Sequence, residues 1–192
     1  HPKWTLNFLL RKKFDLPFLS EFVKEGTDIR ISVSDYFSNM LDQNMNWDDA
    51  KEVKKRWNGI FCLKGIMSKE DAIKAVDIGA DAIMISNHGG RQLDGSRSPF
   101  DQLDEIVDAV GGKIDIICDG GIKRGTHILK AISKGANACS GGRLYLYALA
   151  SGGEEGVTKS IDNLRGELIR NMKLMGLTKI SQLSKENLRF KY

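Results

Sequence analysis

Residues Lys74–Ala82 and Lys130–Ala138 are written on one template, residue against residue, at a constant offset of 56. Each copy reads as the last turn of a helix, a glycine stop (Gly79, Gly135) and the first residue of a strand. Around the two copies the same alternation continues. Apolar, β-branched runs at Ile60–Leu63, Ala82–Ile85, Ile114–Cys118 and Ala138–Ser140 predict four short buried strands. Between them, Ser68 caps a helix reaching Ile78, Pro99 opens one that ends at Val110 before Gly111-Gly112, and Gly125 opens one that ends near Ser133. Strands alternating with helices of this size make βα units and a parallel sheet, and repetition of a whole unit favours a barrel over an open sheet.

The flanks are less regular. Trp4–Leu10 carries one or two helical turns, and residues 1–46 otherwise read as a long irregular segment ahead of the regular part, 47–192. Trp47-Asp48-Asp49 opens a helix running to Arg56, and an amphipathic stretch runs from Glu154 to Met175, stopped by Gly176, with a short helix after Thr178. A net charge of +4 with dispersed lysines implies neither a nucleic-acid surface nor a membrane surface. Cys62, Cys118 and Cys139 sit in apolar runs without metal-ligand spacing, so buried, reduced thiols are expected and no metal site. No signal peptide or spanning run is visible, and a first residue of His, not Met, points to a processed, truncated or partial chain.

Four polar groups stand where the four strands end: Lys64, Ser86 to Arg91, Asp119 to Arg124, and Gly142-Arg143. In a parallel α/β fold these emerge on one face, where ligands bind. His88 is the side-chain type suited to moving a proton near neutral pH, and Arg91 offers a planar fork that matches a carboxylate. Asp119-Gly120-Gly121-Ile122-Lys123-Arg124 leads into a helix N-terminus and Gly142-Arg143 repeats the pattern, an arrangement that favours a phosphate. Taken singly, either loop also reads as an ordinary helix stop with solvated cations, and Lys64 as a rim lysine. His127 reads as structural or exposed, His1 is terminal, and Tyr145-Leu146-Tyr147 reads as packing.

Ser-Asn-His-Gly-Gly-Arg-Gln-Leu-Asp at 86–94 resembles the active-site sequence of the FMN-dependent α-hydroxy-acid dehydrogenases and oxidases. Leu-Lys-Gly-Ile at 63–66, Asp-Gly-Gly-Ile-Lys-Arg-Gly at 119–125 and Gly-Arg at 142–143 are similar to that family's flavin-binding strand ends, in the same order. The likeness covers roughly residues 47–175, and His-Pro-Lys-Trp at 1–4 is similar to a segment of the bacterial lactate and mandelate type. It implies a TIM (β/α)8 barrel, here its last four βα units plus C-terminal helices, that oxidises an L-2-hydroxy acid, L-lactate foremost, to the 2-keto acid with FMN. Carried over residue by residue, His88 is the base and Arg91 binds the substrate carboxylate. Lys64 then stands at the flavin's N1/O2 edge and Ser86 hydrogen-bonds the flavin. Asp119, Gly120, Gly121, Ile122, Lys123, Gly142 and Arg143 hold the ribityl chain and phosphate.

The resemblance has departures. Lys123 stands where the family usually has Arg, so a bidentate phosphate contact becomes a point charge. Gly141 and Leu144 replace an apolar residue and a frequent Pro, which implies looser local packing and weaker FMN affinity. The family's first half, with its substrate-contacting tyrosines and the acid that orients the His, has no match here. The expected partners are therefore a small 2-hydroxy acid and the missing N-terminal half, in a homo-oligomer when complete, cytoplasmic or peripheral on the cytoplasmic face of a membrane. The electron acceptor stays open. Two other readings remain: another FMN or phosphate-binding barrel enzyme, and a catalytically silent half barrel.

Overall fold

The computed structural model describes residues 2–10 and 42–189, and the chain divides into two units, 1–46 and 47–192. The first contains helix α1 (Pro2–Leu10), on which Trp4 and Phe8 stack one turn apart with ring centroids 5.3 Å apart. The irregular character read for residues 11–41 lies outside the described residues.

The second unit runs α2 (Trp47–Arg56), β1 (Cys62–Lys64), α3 (Lys69–Asp77), β2 (Ala82–Ile85), α4 (Pro99–Val110), β3 (Asp115–Asp119), α5 (Gly125–Ser133), β4 (Ala138–Ser140) and α6 (Gly142–Leu174). A 3-10 turn, His88–Gly90, follows β2, and two more (Ile180–Gln182, Lys185–Asn187) follow α6. The four strands are all parallel and stand in chain order, β1-β2-β3-β4. With the right-handed crossovers that parallel neighbours take, this order puts every connecting helix on one face, unlike a doubly wound sheet.

The repeat has a structural cause. Gly79 and Gly135 take left-handed φ of +79° and +108° past the ends of α3 and α5. In both turns the next N–H reaches back five residues, Ala80 to the Ala75 carbonyl and Ala136 to the Ala131 carbonyl. Such a helix end demands glycine. The eighth paired position then joins neighbouring strands. Asp81 Oδ2 accepts from the Phe61 N–H at 2.8 Å and Asn137 Oδ1 accepts from the Ile116 N–H at 2.8 Å. The template therefore encodes one complete helix-to-strand turn, used twice.

Helix caps follow the sequence closely. Ser68 and Ser98 accept from the N–H groups of Asp71 and Asp101, each at 3.1 Å. The core lies between sheet and helices: Ile83, Ile85, Ile116 and Cys118 pack against Ala72 and Ala75 of α3, Leu103 and Ile106 of α4, and Ala131 of α5. Adjacent residues point to the opposite face. There Met84 and Ile117 are half-buried and Cys62, Lys64, Asp115 and Ala138 are exposed.

Three expectations are corrected. Cys62 is exposed, because its strand position faces away from the helices, while Cys118 and Cys139 share the helix face. Cys118 is buried and Cys139 half-buried, and burial raises both thiols, Cys118 to about 11 and Cys139 to about 12. Tyr145, Leu146 and Tyr147 are exposed and do not pack. Finally, Gly142-Arg143, read as a loop at a strand end, opens a helical stretch of its own ahead of the helix expected from Glu154, which is present. Leu- and Ala-rich sequence at 144–150 carries the first stretch, and Gly152-Gly153 separates the two with φ +59° at Gly153.

Candidate functional site

Each strand hands over to its polar group at its C-terminal end. Ser86, one residue beyond β2, is 3% exposed and is the hub. Its hydroxyl donates to Asp119 Oδ2 at 2.6 Å, and its oxygen accepts from Lys64 Nζ at 3.3 Å and from the His88 N–H at 3.2 Å. Three adjacent strands, β1, β2 and β3, are thereby joined through one side chain.

The backbone beyond Ser86 is tightly determined. His88 has φ +56°, the one positive φ outside glycine among the described residues. A non-glycine residue in that region is strained and persists only where its surroundings hold it. Here Asn87 holds it from both sides, accepting from the Gly90 N–H at 3.2 Å and donating to the Arg97 carbonyl at 3.2 Å. Gly89 and Gly90 continue at φ +68° and +70°, and Arg143 Nη2 donates to the Gly89 carbonyl at 2.9 Å. That bond ties the end of β4 to the turn after β2.

The loop after β3 is clamped at its far end. His127 Nδ1 lies 3.2 Å from the Lys123 nitrogen and 2.9 Å from the Gly121 carbonyl oxygen, so of the two readings, structural or exposed, His127 takes the structural one. Glu167, from the distant α6, accepts from Arg124 Nε at 2.7 Å and from the Gly125 N–H at 2.8 Å. The Gly125 N–H holds the Glu167 carboxyl below its usual range, with Arg124 adding to the effect against partial burial. No sequence signal announced Glu167, which lies more than forty residues from its partners.

These residues surround a cleft of about 450 Å3 lined by Lys64, His88, Arg91, Asp119, Lys123 and Arg143, with Gly120, Gly121, Ile122 and Gly142. Ser86 lies beneath it. A second hollow of about 460 Å3 lies behind the Gly89 and Gly120 backbone, but it contains none of Lys64, His88 or Arg91. Those three side chains line the first.

The two helix N-termini at the cleft differ. At α5, Glu167 and its hydrogen bonds supply the cap and engage Arg124. At α6, the N-cap residue Gly141 makes no side-chain cap bond, and the space beside Gly142 is open to 4 Å. Open backbone donors with Lys123 and Arg143 beside them match the oxygens of a phosphate. The fixed positive charge of Lys64, Arg91, Lys123 and Arg143 suits the cleft to anionic groups; among the described residues no group of three or more His, Cys, Asp or Glu is placed to hold a metal.

The model of the FMN-dependent dehydrogenase family matches residues 1–190. Among solved structures, the recombinant flavin-binding domain of baker's yeast flavocytochrome b2 is 40% identical with a TM-score of 0.74, over 76% of this chain and 38% of that one. An arginine-to-lysine mutant of flavocytochrome b2 is 38% identical with a TM-score of 0.74, over 85% of this chain and 43% of that one. A tyrosine-to-phenylalanine mutant of mandelate oxidase, solved with a monooxide FMN adduct, is 40% identical with a TM-score of 0.68, over 71% and 44%. The chain thus spans between 38% and 44% of the length of these relatives.

Proposed function

The chain belongs to the FMN-dependent dehydrogenase family, and from that premise we propose that it is the proton-transfer and phosphate-binding half of a barrel oxidising L-2-hydroxy acids. L-lactate is the substrate we assign first. The observation that carries the reading is the convergence of an imidazole, a guanidinium and an ammonium (His88, Arg91 and Lys64) on one cleft at the ends of parallel strands.

FMN is the family's cofactor, and when bound it takes up the two electrons that leave the substrate. The remaining work falls to the chain. Arg91 binds the substrate carboxylate as a fork of donors, which fixes the hydroxyl-bearing carbon beside His88. His88 accepts the proton released as the alcohol becomes a ketone. Its strained backbone keeps the imidazole at the rim of the cleft, so positioning is built in before substrate arrives. Lys64 brings a fixed positive charge to the place where negative charge gathers. The Ser86 hydroxyl proton is committed to Asp119, so Ser86 serves by orienting Lys64 and the His88 backbone, and any flavin contact falls to its main chain. Gly142, Arg143 and Lys123 take the phosphate. Lys123, as a point charge, does so with less directionality than arginine.

The remaining strands come from a complementary half, which covers the half-buried face bearing Met84 and Ile117 and pairs the outer edges of β1 and β4. The test is the visible spectrum of the chain mixed with FMN and stripped of excess, alone and with that half supplied, followed by anaerobic L-lactate. A retained flavin that L-lactate bleaches supports the reading, and His88→Gln slows bleaching by about a hundredfold or more with FMN still bound. A flavin bound but never bleached by any 2-hydroxy acid leaves a silent binder, and a His88→Gln variant with unchanged rate removes His88 as the base.

A further inference from the structure

We propose that Glu167 is a positioning residue for the cofactor's phosphate, one that closes the α5 N-terminus and so leaves the α6 N-terminus as the seat. The inference rests on the cleft being a phosphate site and adds which helix end serves, and why.

The cleft is lined by Gly142 and Arg143 at the start of α6 and by the loop through Lys123 that leads into α5, and by backbone chemistry alone either helix N-terminus would attract an anion. A carboxylate already stands at one of them. Glu167 Oε2 takes the Gly125 N–H at 2.8 Å, and Oε1 takes Arg124 Nε at 2.7 Å. One side chain thus neutralises the nearest cation and fills the end of the helix. The Glu167 side chain is 20% exposed and Arg124 61%, so the carboxylate is sheltered, and neither residue lines the cleft itself.

The packing enforces this pairing. A Cβ built on Gly125 would lie 2.6 Å from the Leu168 nitrogen and 2.7 Å from Glu167 Cβ, so α5 and α6 touch backbone to backbone at this point. The Cα and Cβ of Glu167 are therefore held against Gly125, within reach of its N–H. The other end of the same loop is pinned by the Ser86–Asp119 bond and its middle by His127. Between those points only Gly121, Ile122 and Lys123 remain to face a phosphate, across from Gly142 and Arg143. Glu167 therefore does not touch the phosphate; it holds the loop so that Lys123 and not Arg124 is the cation presented.

Amide NMR of the chain titrated with inorganic phosphate tests this without requiring flavin. In the wild type, the Gly142 and Arg143 amides shift and the Gly125 amide does not. In Glu167→Ala, Gly125 shifts as well, because the α5 N-terminus and Arg124 become available. A Gly125 amide that already shifts in the wild type, or one that stays unmoved in Glu167→Ala, overturns the proposal. A wild type in which neither helix end responds to phosphate overturns it too.

A second measurement reads the phosphate alone: the ratio of FMN to riboflavin affinity, with the complementary half supplied. Glu167→Gln keeps the packing and an acceptor for Gly125 but loses the charge on Arg124, and it lowers that ratio by about tenfold with riboflavin binding unchanged. A general loss of structure would weaken both ligands together, and an unchanged ratio refutes the positioning role. If the phosphate shifts behave as stated while neither flavin binds, the cofactor reading fails and the assignment of the seat stands.

Discussion

Replacing Ser86 by alanine tests whether the hub holds three strand ends together. The substitution removes a 2.6 Å hydrogen bond to the Asp119 carboxylate and the acceptor for the His88 N–H and Lys64 Nζ. Lys64 is exposed and rehydrates at little cost. Asp119 is half-buried, so water replaces part of what it loses. A bond to a charged group is worth about 1.5–3 kcal/mol, and partial rehydration puts Ser86→Ala near the middle, about 2 kcal/mol. For a chain of this size that lowers the melting temperature by about 4–8 °C. The assay is urea and thermal unfolding of Ser86→Ala, Asp119→Ala and the double variant. Because the two side chains are partners, their effects must couple by about 1–2 kcal/mol. Ser140→Ala is the control: it lies at the end of β4, opposite Asp119 in register, and its change stays within about 0.5 kcal/mol. A Ser86–Asp119 coupling no larger than the usual scatter of about 0.3–0.5 kcal/mol would refute the hub.

Two glycine substitutions order themselves by what a new Cβ meets. At Gly125 the obstacle is backbone, the Leu168 nitrogen at 2.6 Å, so Gly125→Ala costs about 1–3 kcal/mol in unfolding experiments. At Gly89 it is the movable end of Arg143 at 2.7 Å, so the cost is the left-handed backbone, about 1–2 kcal/mol, with loss of the Arg143–Gly89 bond. Iodoacetamide with mass spectrometry should label Cys62 alone in the folded chain, since Cys118 and Cys139 are sheltered and their thiols are pushed up; labelling of all three at equal rates contradicts the burial. Lys54 and the Phe61 N–H depress the Asp81 carboxyl, and the Gly125 N–H depresses Glu167. The stability they add is present above the ordinary carboxylate range near pH 4 and is lost as pH falls through their lower folded values. Asp81→Asn should flatten that acid limb, which a pH series of urea midpoints would read.

Local signals carried the fold well. Ser68 and Ser98 caps, the proline at the head of α4 and the two glycine stops act over one turn of chain, and the helices sit where those signals put them. The run from Gly142 was harder, because the glycines that read as a loop are followed at once by good helix formers. Cys62 and Tyr145 to Tyr147 failed for a different reason: burial depends on what covers a face, and an apolar run does not say which face is covered. In the cleft, the residue types at strand ends were legible one by one. Their joining was not, since the Ser86–Asp119 and Arg124–Glu167 bonds span 33 and 43 residues.

The placement of the polar groups is inherited from the core. In a strand, side chains alternate between faces, so burying one residue decides where its neighbour points. Leu63 precedes Lys64, Ile85 precedes Ser86, Cys118 precedes Asp119 and Cys139 precedes Ser140. In each pair the first residue belongs to, or packs against, the core beneath the helices. The second therefore faces the other side, at the end of its strand, next to the corresponding residue of the neighbouring strand. The register enforces the same alignment sideways, with Asp119 opposite Ser140 and Lys64 opposite Met84, two residues before Ser86. A slip of one residue in β2 would bury Ser86 among Leu103 and Ile106 and bring Ile85 to the cleft. The hydrophobic effect pulling Ile83, Ile85, Ile116 and Cys118 under the helices is thus also the force that sets Ser86 beneath the cleft and Asp119 on its wall, so a core variant that shifts β2 should loosen the cleft before it unfolds the chain.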